Sequence, residues 1–240
     1  MRLVDAQFSL ATLIGVLSIG SCTVDETPTV STGIELEIEG TGERLSALPD
    51  IQAELSQIGV GVWPLLLEDV PEDLRRLLNQ ENLTDAETTR LRDYFLLSRE
   101  RLLEIVAASG RTPNVPGGGA LETTVLNQGY SYPQLWEVQN GVDYTRFDRF
   151  HVNVSDDGIG VDEVLQMVSG EGVVVRVRQP NGTVHNLRLD CPNDSACWMF
   201  SYDAGQSHVG SLSSATPGTK LVVQAFGPTE WALRYTDEEG

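Results

Sequence analysis

The sequence predicts an α+β protein, a small helical N-terminal part followed by an antiparallel β-sandwich or jelly roll. Three observations carry that expectation. Apolar residues recur with a helical period across residues 49–110, they recur with a period of two across residues 121–236, and "RTPNVPGGGA" at 111–120 separates the two stretches.

The first 21 residues read as a leader. After Arg2, the thirteen residues from Phe8 to Gly20 are nearly all apolar or small. That is short of the roughly 20 a membrane-spanning helix needs, and it suits the apolar region of a secretory signal. Ile19-Gly20-Ser21-Cys22 closes the run. These four residues are similar to the lipobox of bacterial lipoprotein precursors. The resemblance implies cleavage before Cys22, a diacylglycerol on its sulfur, acylation of the new amine, and an extracytoplasmic protein anchored by lipid to the cell membrane or outer membrane. Two or more chains hold a protein where one does not, since each buried methylene contributes about 0.8 kcal/mol.

Residues 22–48 are rich in Thr, Ser, Glu and Gly and read as a polar tether, within which "GIELEIEG" alternates and admits a short strand. Residues 49–110 read as helical. Asp50 after Pro49 is placed to cap a helix through Ile51, Leu55 and Ile58, and Pro71 takes a first-turn position in "VPEDLRRLLNQ". Thr84 and Glu87 have capping-box spacing and open a helix of about 25 residues that stops at Gly110. Leu91, Tyr94, Phe95, Leu102, Ile105 and Val106 fall on one side of it, and Arg90, Arg92, Asp93, Arg99, Glu100 and Glu104 on the other. Two prolines and three consecutive glycines make 111–120 a linker between domains.

In "RFDRFHVNV", Phe150, Val152 and Val154 share one strand face and Arg149, His151 and Asn153 the other. "GVVVRVRQ" sets Val173, Val175 and Val177 against Val174, Arg176 and Arg178, and Pro180-Asn181-Gly182 turns the chain into "TVHNLRL" as a hairpin. "TKLVVQAF" and "TEWALRYT" add two alternating strands before the acidic tail 237–240. Eight or nine short strands without a long intervening helix fit a sandwich. "DRFHVNV" and the ending "ATPGTKLVVQAFGPTEWALRYT" resemble the pre-peptidase C-terminal type of β-sandwich, a likeness spanning residues 120–236. It implies a module carried on a secreted protein. The central strand departs from that family's pattern, with "VVVRVRQPNG" in its place.

A formal charge of −19, from 35 acidic and 16 basic residues, repels phosphate backbones and excludes nucleic acid as a partner. Lys220 is the one lysine among them, a bias of composition that marks no site.

Cys191 and Cys197 flank five residues, a spacing that suits a disulfide in an exported protein and not the two-residue gap of redox or zinc pairs. The competing reading is a metal site with His185 and Asp190. Asp156, Asp157, Asp162 and Glu163 gather around two glycines in "SDDGIGVDE", a loop that admits calcium, though it reads first as a solvated acidic surface. Tyr130, Tyr132, Trp136 and Tyr144 cluster in a loop-rich segment and are the candidates for gripping a glycan or an envelope protein.

No nucleophile with its base, zinc-protease motif or Walker loop is present, so no catalytic residue is assigned. The expected function is therefore a non-catalytic binding or envelope-assembly module with no cofactor beyond that calcium. The alternative is a cupin-like barrel in which His151, His185 and His208, on separate strands, meet around a metal with a small ligand or substrate. Against it, the cupin H-x-H is His151-Val152-Asn153 in this chain.

Overall fold

The computed structural model describes residues 33–127, 149–193, 195–211 and 215–236. The leader, Cys22, the aromatic segment with Tyr130, Tyr132, Trp136 and Tyr144, and the acidic tail lie outside the described residues. In chain order the elements are β1 (Ile34–Glu39), β2 (Glu43–Leu45), α1 (Leu48–Ser56), β3 (Gly61–Leu66), α2 (Glu72–Leu78), α3 (Asp85–Phe95), α4 (Arg99–Ala108) and β4 (Ala120–Asn127). They continue with β5 (His151–Val154), β6 (Asp162–Ser169), β7 (Val173–Arg178), β8 (Val184–Leu189), β9 (Ala196–Asp203), β10 (His208–Ser211), β11 (Lys220–Gly227) and β12 (Ala232–Tyr235).

The architecture is α+β and mostly β, with the strands in two antiparallel sheets. One has seven strands in the order β12-β5-β10-β7-β8-β1-β2, and the other five in the order β3-β9-β6-β11-β4. Val173, Val175, Val177, Leu187 and Leu189 of the first sheet share one hydrophobic cluster with Leu165, Met167 and Phe200 of the second. The β7–β8 hairpin forms as its sequence predicts, with Gln179 N donating to Thr183 O and Gly182 in the left-handed region at φ +88°.

Three expected boundaries are corrected. Residues 34–45 are no tether: β1 buries Ile34, Leu36 and Ile38 and pairs along its length with β8. The alternation of Ile and Leu with Glu gives that strand one dry and one wet face, which is what a sheet strand needs. Nor is 49–110 a separate helical part. β3 lies inside it and pairs with β9, so the helices are built onto the five-stranded sheet. The linker at 111–120 is pinned, because Arg111 pairs with Asp162 and hydrogen bonds to Ser201, and Asn114 bonds to Asp162 and Asp203. At Gly119 (φ +60°) a Cβ would meet Gly227 O at 1.9 Å, so the glycine serves a close approach between backbones.

The long helix also divides. Its capping box is present, with Thr84 accepting from Glu87 N and Glu87 accepting from Thr84 N, and Leu91, Phe95, Leu102, Ile105 and Val106 are buried while Tyr94 is exposed. The chain leaves the helix at Leu96 and re-enters it at Ser98, whose side chain caps α4. In the gap, the buried Gln224 amide accepts from Leu97 N at 2.8 Å and donates to Leu97 O at 3.2 Å. Both backbone groups freed by the break are thereby matched. Gln166 Nε2 donates to Phe95 O at 2.7 Å beside it. These contacts place α3 and α4 on the outer side of the five-stranded sheet and leave its other side facing the seven-stranded one.

Candidate functional site

The inner side of the seven-stranded sheet carries a row of histidines. Register pairs His151 of β5 with His208 of β10, His208 with Val177 of β7, and Val177 with His185 of β8. All three rings therefore stand on one face, and all three residues are buried. His151 and His208 touch, with ring centroids 4.4 Å apart. Across the gap the five-stranded sheet contributes Tyr202 of β9 and Glu163 of β6, which are register partners. Tyr202 lies 4.9 Å from the His208 ring, centroid to centroid, and its hydroxyl donates to Glu163 Oε2 at 2.7 Å. Asn153, two residues beyond His151 on the same face, donates to Glu163 Oε1 at 3.0 Å.

Backbone carbonyls set the tautomers. His151 Nδ1 meets Arg149 O at 2.9 Å and His208 Nδ1 meets Gln206 O at 2.8 Å. A carbonyl oxygen can only accept, so each Nδ1 carries the proton and the Nε2 edge of each ring is turned away from the strand that holds it. Burial pushes the His208 pKa down to about 4, which leaves the ring neutral at pH 7 with a lone pair on Nε2. Burial also raises the Glu163 pKa, against the opposing hydrogen bond from Tyr202. Asn153 Oδ1 is buried with no hydrogen-bond partner. Two imidazoles fixed through Nδ1, a buried carboxyl and an unmatched amide oxygen make an interior able to hold a metal or a polar ligand.

The acidic residues do not form a calcium site. Asp157 is exposed, Asp156 pairs with Arg234, Asp162 is buried against Arg111, and Glu163 points into the interior toward Tyr202 and Asn153. Alternation along β6 sends Asp162 and Glu163 to opposite sides of the sheet, so the four cannot surround one ion. The sulfur atoms of Cys191 and Cys197 are at bonding distance, with Cα atoms 4.4 Å apart. His185 and Asp190 do not join them: His185 Nε2 meets Glu54 Oε1 at 3.0 Å, and Asp190 accepts from Gly172 N and Arg188.

The strand face that holds His151 and Asn153 is the interior one. Phe150 is turned to the other side, where the guanidinium carbons of Arg176 and Arg178 stand 4.8 and 3.6 Å from its ring centroid. The cupin-like alternative groups His151 with His208, whereas Asn153 and Tyr202 belong to no motif in the sequence. Among the described residues, no three His, Cys, Asp or Glu side chains converge as ligands of one ion.

No protein-family model and no curated protein matches the chain. Among solved structures it is similar to an acireductone dioxygenase from Bacillus anthracis with a cadmium ion in its active center. The TM-score is 0.56 at 19% identity, over 84% of this chain and 97% of that one. At that identity the likeness is one of fold. It overturns the expected non-catalytic envelope module, since this is a fold that a metal-containing dioxygenase uses and the cupin-like alternative accounts for it better. The expectation that no cofactor beyond calcium is needed is corrected by the same finding.

Proposed function

We propose that this chain is a cupin-like barrel that binds a metal and a small ligand or substrate between its two sheets, at His151 and His208. The observation that carries the reading is the pair of buried imidazoles, in contact and each donating its Nδ1–H to a backbone carbonyl. A hydrogen bond from Nδ1 to a carbonyl is how a metal-binding histidine is oriented to present Nε2. The two rings fit a divalent metal as donors. Glu163 does not complete the set as it stands, because Asn153 and Tyr202 occupy one oxygen each. A divalent ion, if held by His151 and His208, would supply Lewis acidity to a ligand bound beside them. The likeness to a cadmium-containing dioxygenase supports the metal.

Metal analysis of the full chain, purified without metal-affinity steps, tests the reading. Iron, manganese or zinc near one equivalent is expected, and it should be lost when His151 and His208 are both replaced by Ala. A metal-free protein that takes up no added divalent ion would overturn it.

The same proposal places the protein outside the cytoplasm on a lipid anchor at Cys22, a reading supported by Ile19-Gly20-Ser21-Cys22 and by two sulfurs close enough to pair. No helix among the described residues is long and apolar enough to cross a membrane. Mass analysis of the native N-terminus tests it, and an intact Met1 would end it.

A further inference from the structure

Beyond His208 the interior continues into a second group of buried polar atoms. Gln179 Nε2, Gln206 Oε1 and His185 Nδ1 are buried without a hydrogen-bond partner. They are neighbours by register. The β7–β10 ladder continues past His208 and Val177 through Arg178 N donating to Ser207 O, which sets Gln179 opposite Gln206 on the face that carries His208. Gln179 N bonds to Thr183 O, so His185 is the diagonal neighbour of Gln179 on that same face. Opposite residues have Cβ atoms about 5 Å apart and diagonal ones about 7 Å. The end of α1 closes the group from the other side, with Gln206 Nε2 donating to Ile58 O at 3.3 Å and His185 Nε2 meeting Glu54 Oε1 at 3.0 Å.

Those two contacts decide what the group offers. A carboxylate only accepts, so His185 Nε2 carries hydrogen, and in that tautomer Nδ1 is an acceptor. Gln206 donates one amide N–H to Ile58 O, and its Oε1 is a second acceptor. Gln179 Nε2 is a donor. No lysine or arginine takes part, and Glu54 stands beside the group, so an anion would meet two lone pairs and a carboxylate with no cation. An apolar group would strand all three atoms without partners. A neutral molecule with adjacent hydroxyls matches them, donating O–H to Gln206 Oε1 and His185 Nδ1 while an oxygen accepts from Gln179.

We propose that Gln179, Gln206 and His185 form a subsite for the hydroxyl-bearing end of a neutral polyol or sugar-like molecule. The proposal deepens the reading of a ligand-binding interior and rests on it, since Gln206 joins the two groups through the backbone oxygen that holds His208 Nδ1.

Calorimetric titration of the full chain with erythritol, ribitol and succinate tests the subsite. The polyols should bind and succinate should not, and Gln179→Leu and Gln206→Leu should each weaken polyol binding at least tenfold. Should a variant fail to fold, the side-chain amide resonance of Gln179 in the unaltered protein must still shift on adding ribitol. Succinate binding as well as the polyols, an unmoved amide, unchanged affinity in the variants, or a crystal structure at saturating ribitol with water alone on the three atoms would each overturn it. Metal content is measured on the same samples, so absence of metal counts against the proposed function, whereas failure of the metal-containing, unaltered protein to bind either polyol counts against the subsite.

Discussion

The two sides of the five-stranded sheet bury polar groups in different ways. On the side under the helices nearly every group is matched. Gln224 satisfies both backbone groups of Leu97, Asp162 is held by Arg111 and Asn114, and Lys220 Nζ donates to the carbonyls of Leu78, Gln80 and Gly218. Burial lowers the Lys220 pKa to about 8, which still leaves the ammonium charged at pH 7. Among the described residues, Gln166 Oε1 and Arg75 Nε of α2 are the exceptions there. Between the sheets, Asn153 Oδ1, Gln179 Nε2, Gln206 Oε1 and His185 Nδ1 are all left over. A matched group fixes the chain, whereas an unmatched one costs about 1–3 kcal/mol and persists when something besides folding uses it. The outer side is therefore where substitutions should cost stability, and the inner side where they should cost binding.

The hardest test of the outer side is Asp162→Ala. It strands Arg111, whose side chain is only 10% exposed, and loss of about 3–5 kcal/mol is expected from urea unfolding at pH 7. A loss under about 1 kcal/mol would break the comparison at its strongest point.

Acid titration should give the next largest effect, and it reads the inner side. His208 has its pKa moved from 6.5 to about 4 in the folded chain, so the unfolded chain takes up the proton first. Its contribution is fully present above pH 6.5 and is lost as pH falls toward 4, about 3 kcal/mol in all. Glu163 works the other way. Its pKa is raised by burial, so its contribution is present below its ordinary 4.5 and is lost as pH rises through the folded value. Unfolding of chelator-treated protein from pH 7 to 4, with and without His208→Gln, separates the two. An unchanged pH slope in the variant would show that His208 is not buried neutral. Gln224→Leu follows at about 2 kcal/mol, because it leaves Leu97 N and O without partners in a buried gap.

How far these two sides could be read in the sequence depends on the range of the contacts that make them. The capping box at Thr84 and Glu87 and the turn at Pro180-Asn181-Gly182 involve neighbours, and both form as their residues predict. The division of the helix after Phe95 rests on Gln224, 127 residues from Leu97, and no local period contains it. The acidic loop failed as a site for a similar reason, since Asp162 answers Arg111, 51 residues away. The interior was legible in part: the cupin-like alternative groups His151 with His208, but nothing local brings Asn153, Tyr202 and Glu163 to them. Arg149, His151 and Asn153 look like the wet side of a strand, and the sheet turns His151 and Asn153 inward because Tyr202 and Glu163 arrive opposite them from a second sheet. Alternation shows that they share a side, but the side that is dry is chosen by tertiary pairing.

The smallest expected effect discriminates most between the two sides. His151→Gln and His208→Gln should each change the stability of metal-free protein by no more than about 1 kcal/mol at pH 7. The glutamine amide can still donate to the carbonyl that held Nδ1, and it leaves an oxygen where Nε2 stood, so the hydrogen-bond balance of the interior is nearly kept. What glutamine cannot supply is a fixed imidazole lone pair, and metal content should fall at least tenfold in either variant. Loss of stability comparable to Asp162→Ala would mean that the rings hold the sheets together, and the distinction between a matched outer side and a working inner side would fail. Retained stability with lost metal would instead show that evolution tolerates these histidines in the interior for what they bind.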